Sequence, residues 1–146
     1  MPAEQRTDAT EYRPGARLGL PATGPGSVGG WGRRVVGLAV DWIVSQLVVA
    51  AFVGQSVWTG YGFVQWAPLL VLWLQTTLLT GLLGTTIGHR AVGVRVLRAH
   101  AVLPLGVPRA ALRALLLCLA IPPLVWDRDR RGLHDLAGDA VVVSTR

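Results

Sequence analysis

The chain has no lysine, a single cysteine and little charge of either sign. One cysteine, Cys118, excludes a disulfide scaffold and a multi-cysteine zinc module. Charged residues make up 15% of the 146 positions, where a soluble domain carries roughly 25%. Hydrophobic residues make up 51%, which excludes disorder over most of the length. A small membrane protein or an unusually apolar core remains, in one domain. The short signatures of common chemistry are absent: there is no phosphate loop of the GxxxxGKS or GxxxxGKT form, no GxSxG and no HExxH. Cys118 lies in an apolar run and reads as an inert thiol. With no nucleophile–base set, the expectation is a non-enzyme with no cofactor and no metal.

What is there is arginine. All 14 basic residues are arginines, against 8 acids, for a net charge of +6. The arginines flank apolar runs and do not fill one patch or one helix. That placement follows the positive-inside rule of membrane proteins and speaks against a nucleic-acid partner.

Residues 1–30 balance three acids (Glu4, Asp8, Glu11) with three arginines (Arg6, Arg13, Arg17) and turn rich in proline and glycine. They show no apolar period and no signal-peptide core, which predicts a disordered cytoplasmic tail. Residues 31–146 form the membrane domain. A first apolar segment runs from about Val35 to Phe52 or Val57, behind Arg33 and Arg34. At ~1.5 Å per residue, about 20 residues cross the ~30 Å core of a bilayer. The two arginines hold its N-terminal end in the cytoplasm. The uncharged loop Gly54 to Gly62, with Trp58 and Tyr61, faces outward. A second segment, Phe63 to Leu83, carries Pro68 in its first turns, Thr76 and Thr80 on one face, and the small pair Thr77 and Gly81.

The basic stretch TTIGHRAVGVRVLRAHAVLPLGVPR returns the chain to the cytoplasm. Within it Val92 to Leu97 reads as a short strand, which valines 141 to 143 could join in a small sheet. A third apolar segment, Ala110 to Trp126, is interrupted by Arg113 and broken by Pro122-Pro123. Arginines stand on both sides of it. Either it is a short third span with the tail outside, or it is a re-entrant or interfacial segment with the tail inside. Pairing of the two valine strands favours the second. The fold class is thus an all-α membrane protein with two full spans, a third short segment and a small cytoplasmic β element.

Asp41 is the most informative position: it lies about six residues into the first span, where a carboxylate costs less than the roughly 2.5–3.5 kcal/mol of a span's centre but still needs a partner. Arg34, seven residues earlier, shares its stripe. Arg33, Gly37 and Asp41 run alongside at i, i+4, i+8, with Ser45 continuing the face and Gly37 leaving room for a guanidinium or another helix. The cluster is either an ion or ligand site or a structural ion pair. A second cluster, DRDRRGLHDLAGD, sets His134 beside Asp135. Neighbours on a helix point about 100° apart, so the two do not simply act as a pair, and no third metal ligand is evident. A helix cap, a tether to Arg90 or Arg34, or a contact from Asp135 or Asp139 to an arginine of the basic region fits better. Trp31, Trp58, Trp66 and Trp126 fall near the expected interfaces as anchors, and Trp42 and Trp73 read as packing residues.

GRRVVGLAVDW at the first span, TTIGHRAVGVRVLR after the second and RRGLHDLAGDAVVV at the end, in that order and spacing, resemble the RDD family of bacterial membrane proteins. The resemblance covers about Trp31 to Val143. It implies that the family's arginine falls on Arg34 and its two aspartates on Asp41 and Asp135. The family often has lysine where His89 stands and threonine where Asp139 stands. It also implies a multi-pass protein of a bacterial cytoplasmic membrane, suggested to transport ions or unidentified ligands. Two or three helices cannot enclose a pore alone, so transport requires a homo-oligomer or another membrane protein. The alternative is an accessory or scaffold protein whose basic surface binds partner proteins or anionic lipids.

Overall fold

The computed structural model describes residues 13–101, 103–119 and 131–146. Two long helices, α1 (Trp31–Val53) and α3 (Phe63–Leu83), lie against each other and are joined through the short α2 (Ser56–Thr59). Both are long and apolar enough to cross a bilayer. The first span begins at Trp31, four residues earlier than the apolar pattern suggested, because Arg33 and Arg34 are helical as well.

The faces of these helices are inverted relative to a soluble protein. On α1 the buried residues are Arg34, Gly37, Asp41, Ser45 and Val49, and Val36, Ile43, Leu47 and Phe52 are exposed. On α3 the buried face carries Thr76, Thr77, Thr80 and Gly81, and Leu70, Leu74, Leu78 and Leu82 point outward. In water this arrangement would expose the apolar face at a cost of roughly 25 cal/mol per Å². In lipid it costs nothing, and polar and small residues hold the helices together. Trp42, expected to pack, is 39% exposed on the outer face. Trp73 does pack, donating from Nε1 to the Ala111 carbonyl at 3.1 Å. Trp58, Tyr61, Phe63 and Trp66 are exposed around the end of the hairpin that carries α2, where interfacial aromatics belong.

The opposite end carries a small cap. The αL residue Gly84 (φ 68°) closes α3. Then follow α4 (Ile87–Ala91), β1 (Val94–Arg98), α5 (Val107–Cys118), α6 (Leu133–Ala137) and β2 (Ala140–Ser144). β1 and β2 pair antiparallel, with Val96 opposite Val142. The expected strand pairing is therefore present, with β1 starting two residues later than the valine pattern. Val94, Val96, Leu105, Ala110, Ala140 and Val142 form its core.

Of the tail expected to be disordered, residues 1–12 lie outside the described residues, and the part before α1 is bonded to the sheet. Val28 bridges to Val143, Gly29 donates to the Val142 carbonyl at 2.9 Å, and Ser144 donates to the Ser27 carbonyl at 2.8 Å. The segment satisfies the free edge of β2, a gain that its own composition does not reveal. α5 has 12 residues, about 18 Å of helix, too short for a bilayer core. Residues 120–126, including Pro122, Pro123 and Trp126, lie outside the described residues. Because β2 is bonded to β1, the C-terminal strand sits at the same end of the hairpin as the N-terminus of α1.

Candidate functional site

Two buried polar clusters occupy the junction between hairpin and cap. The first is centred on Asp135, at the start of α6 and 0% exposed. Arg34 donates from Nη1 to Oδ2 at 3.0 Å, and Arg113 donates from Nε to Oδ1 at 2.8 Å. Arg34 also donates to the Gly29 carbonyl at 3.1 Å and the Val142 carbonyl at 3.4 Å, so one guanidinium joins α1, the N-terminal edge segment, β2 and α6. Burial alone would raise the Asp135 carboxyl. The guanidinium of Arg113, with His134 and Arg34, outweighs it and holds the group down at about 2.

The expected Arg34–Asp41 pair does not form. Cα–Cβ bonds tilt toward a helix N-terminus, so Arg34 in the first turns of α1 reaches back past the helix end to Asp135. Of the expected tethers, the one from Asp135 to Arg34 forms at 3.0 Å, and Asp139 comes within 3.8 Å of Arg109 in the basic region. His134 and Asp135 also meet, contrary to the argument from helical angles, with Nε2 3.3 Å from Oδ1. The imidazole folds back over Gly132, where a Cβ would collide with it.

The second cluster surrounds Asp41, 2% exposed. Its Oδ1 accepts from the Gly88 amide at 2.8 Å, and its Oδ2 accepts from the Thr86 hydroxyl. Gly37 provides the opening on α1, but what enters it is the backbone of Gly88 in α4, not a guanidinium. One turn further along, Ser45 donates to the Asp41 carbonyl at 2.9 Å, as does Gln75 from α3 at 2.8 Å. Gln75 also reaches Ser45 Oγ at 3.0 Å. Ser45 thus belongs to the site.

Thr86 caps α4 and has one hydroxyl proton. Given to Asp41, it leaves the oxygen to accept from the His89 amide at 3.1 Å and from His89 Nδ1 at 2.8 Å. That places a proton on His89 Nδ1. Burial first, then the charge of Arg113, pushes His89 down from 6.5 to about 3. The unfolded chain therefore binds the His89 proton more readily than the folded one. This contribution to stability is complete above pH 6.5 and falls as pH drops toward 3. We expect about 2 kcal/mol of destabilisation between pH 7 and pH 5, removed in His89→Gln. Parallel melting curves of the two proteins over this range would contradict a neutral buried imidazole.

Arg113 joins the clusters: it binds Asp135 and acts electrostatically on His89. With Arg34 it sets two buried guanidinium groups on the single carboxylate of Asp135. The sequence marked Arg113 only as an interruption of an apolar run. The signal was the interruption itself, since a buried arginine requires a carboxylate. Thr86 and Gly88 were also missed as ligands of Asp41, although Thr86 stands where an N-cap residue belongs. Arg33 is exposed and donates to Ser144 Oγ at 3.0 Å. Arg90 is exposed and outside both clusters. Asp139 is held more loosely, 3.8 Å from Arg109, 3.9 Å from His100 and 4.0 Å from Arg131. Among the described residues no three His, Cys, Asp or Glu side chains gather as metal ligands.

The RDD family matches residues 28–139, most of the chain. The chain belongs to the RDD family. No curated protein and no solved structure matches it. As an RDD protein it is a membrane protein, which accounts for the inverted faces of α1 and α3. The arginine and two aspartates assigned by resemblance, Arg34, Asp41 and Asp135, all lie in the two buried clusters. Only Arg34 and Asp135 touch each other, and in this RDD chain Asp41 is held by Thr86 and Gly88.

Proposed function

We propose that this RDD protein moves an ion or small ligand across a bacterial cytoplasmic membrane as a homo-oligomer, with Asp41 at the position that governs passage and with its N-terminus in the cytoplasm. The observation that carries this reading is the polarity of the intramembrane face. Asp41, Ser45 and Gln75 meet between α1 and α3, and the hydroxyls of Thr76, Thr77 and Thr80 are buried without a hydrogen-bond partner among the described residues. Among the described residues Asp41 hydrogen-bonds to neutral donors and pairs with no cation, which leaves the place of a counter-ion to a passing one. Two spans cannot enclose a path, and further copies would supply its other walls. The orientation rests on Arg33 and Arg34 at the head of α1.

A second reading is a non-enzymatic accessory or scaffold protein. It is favoured by the engagement of both Asp41 oxygens and by the tight contact of α4 behind them. Flux into proteoliposomes separates the two. Transport predicts that Asp41→Asn, which keeps the shape and removes the charge, lowers flux by about tenfold or more, equivalent to ~1.4 kcal/mol. Equal flux in wild type and variant would leave the scaffold reading in place.

A further inference from the structure

The rim where α3 runs into the cap carries positive charge that no acidic side chain among the described residues answers. A groove of about 450 Å³ opens there between Leu83, Thr85, Arg90, Val94, Arg95 and Thr145. Leu83 is the last residue of the second span and is 54% exposed, so one wall of the groove lies at the membrane edge. Arg95 donates from Nη2 to the Leu83 carbonyl at 3.4 Å, which sets its guanidinium at the mouth. Arg90 is exposed on the facing helix α4. Among the described residues neither arginine is within ion-pair distance of a carboxylate. The described acids are engaged elsewhere: Asp41 with Thr86 and Gly88, Asp135 with Arg34 and Arg113, and Asp139 with His100, Arg109 and Arg131.

We propose that this groove binds the phosphate of an anionic phospholipid headgroup, with Arg90 and Arg95 as the guanidinium donors. Guanidinium presents paired N–H donors that match two phosphate oxygens. A lipid whose chains lie along the exposed leucines of α3 delivers its phosphate to the groove while remaining in the bilayer. The two cations favour a headgroup with net negative charge over a zwitterionic one, whose choline would meet them with like charge. The site is separate from Asp41 and does not depend on the transport reading.

The test is native mass spectrometry of the full chain, released from mixed micelles holding equal phosphatidylglycerol and phosphatidylcholine. Wild type is expected to retain phosphatidylglycerol about tenfold over phosphatidylcholine, as two juxtamembrane arginines imply. The double variant Arg90→Gln/Arg95→Gln should lose that preference. Arg90→Lys/Arg95→Lys should keep part of it, and Arg13→Gln/Arg17→Gln, outside the groove, should keep all of it. Absence of preference in wild type overturns the proposal. So does an equal loss in the Arg13/Arg17 control, which would mean diffuse attraction. Displacement of the lipid by millimolar inorganic phosphate also overturns it, since the ligand would then be a soluble anion.

Discussion

Asp135→Asn is expected to cost about 3–5 kcal/mol, the usual penalty for leaving buried charges without their partner. The carboxylate is wholly buried and accepts from two guanidinium groups, Arg34 at 3.0 Å and Arg113 at 2.8 Å. An amide would leave both cations uncompensated, and its nitrogen would face an N–H donor. Because Arg34 also holds Gly29 and Val142, the loss spreads to the edge segment and β2. Thermal melting in detergent should fall by about 10 °C. Asp139→Asn is the control: its contacts are long and its side chain is 41% exposed, so its effect should stay below about 1 kcal/mol. Similar melting of the two variants would mean that the buried network does not hold the cap to the spans. The pH dependence gives a second check. The Asp135 carboxyl lies at about 2 in the fold against 3.8 ordinarily. Its folded pKa is depressed, so its contribution is present above pH 3.8 and is lost as pH falls through 2. Between pH 5 and 8 it is constant, so Asp135 does not account for acid sensitivity in that window.

Gly88→Ala is expected to separate α4 from α1. A Cβ at Gly88 would collide with the Gly37 carbonyl oxygen and stand 2.8 Å from the carbonyl carbon and 3.0 Å from Asp41 Cγ. These are mostly backbone atoms within a span, which cannot turn aside as a side chain can. The Gly88 amide would be pushed off the Asp41 carboxylate, and a charge in the membrane would lose a donor. Overpacking commonly costs about 1–3 kcal/mol, and the lost hydrogen bond to a charged group adds about 1.5–3. A drop in the unfolding midpoint of more than about 3 kcal/mol equivalent should follow. Gly37→Ala, on the other side of the same contact, meets its nearest atoms at 3.4 Å, ordinary van der Waals distance, and should be mild. Equal behaviour of Gly88→Ala and Gly37→Ala in detergent unfolding would show that the helices can part without loss.

The second span was legible to the residue, because a run of apolar side chains bounded by Gly62 and Gly84 has few other readings. The first was legible except at its head, where charged Arg33 and Arg34 hid four helical residues. The valine strands could be paired from composition alone. The edge segment at Val28 could not: glycine and proline hide a strand whose bonds come entirely from a distant partner. At the site, Asp41 stood out because a carboxylate within an apolar run is costly. Its partners did not, since a hydroxyl and a backbone amide carry no sign in a sequence.

Composition and the spacing of apolar runs determined that this chain belongs in a membrane and carries two helices long and apolar enough to cross it, with arginines at their ends. Those outcomes depend on transfer free energies, which sum over residues regardless of where the chain goes next. Only the tertiary structure decided that Arg34 reaches Asp135 and not Asp41, that Arg113 joins Asp135 as its second cation, and that α4 fills the opening at Gly37. Each of these joins residues far apart along the chain, and charge pairing over a few ångströms depends on side-chain direction, which sequence periodicity does not encode.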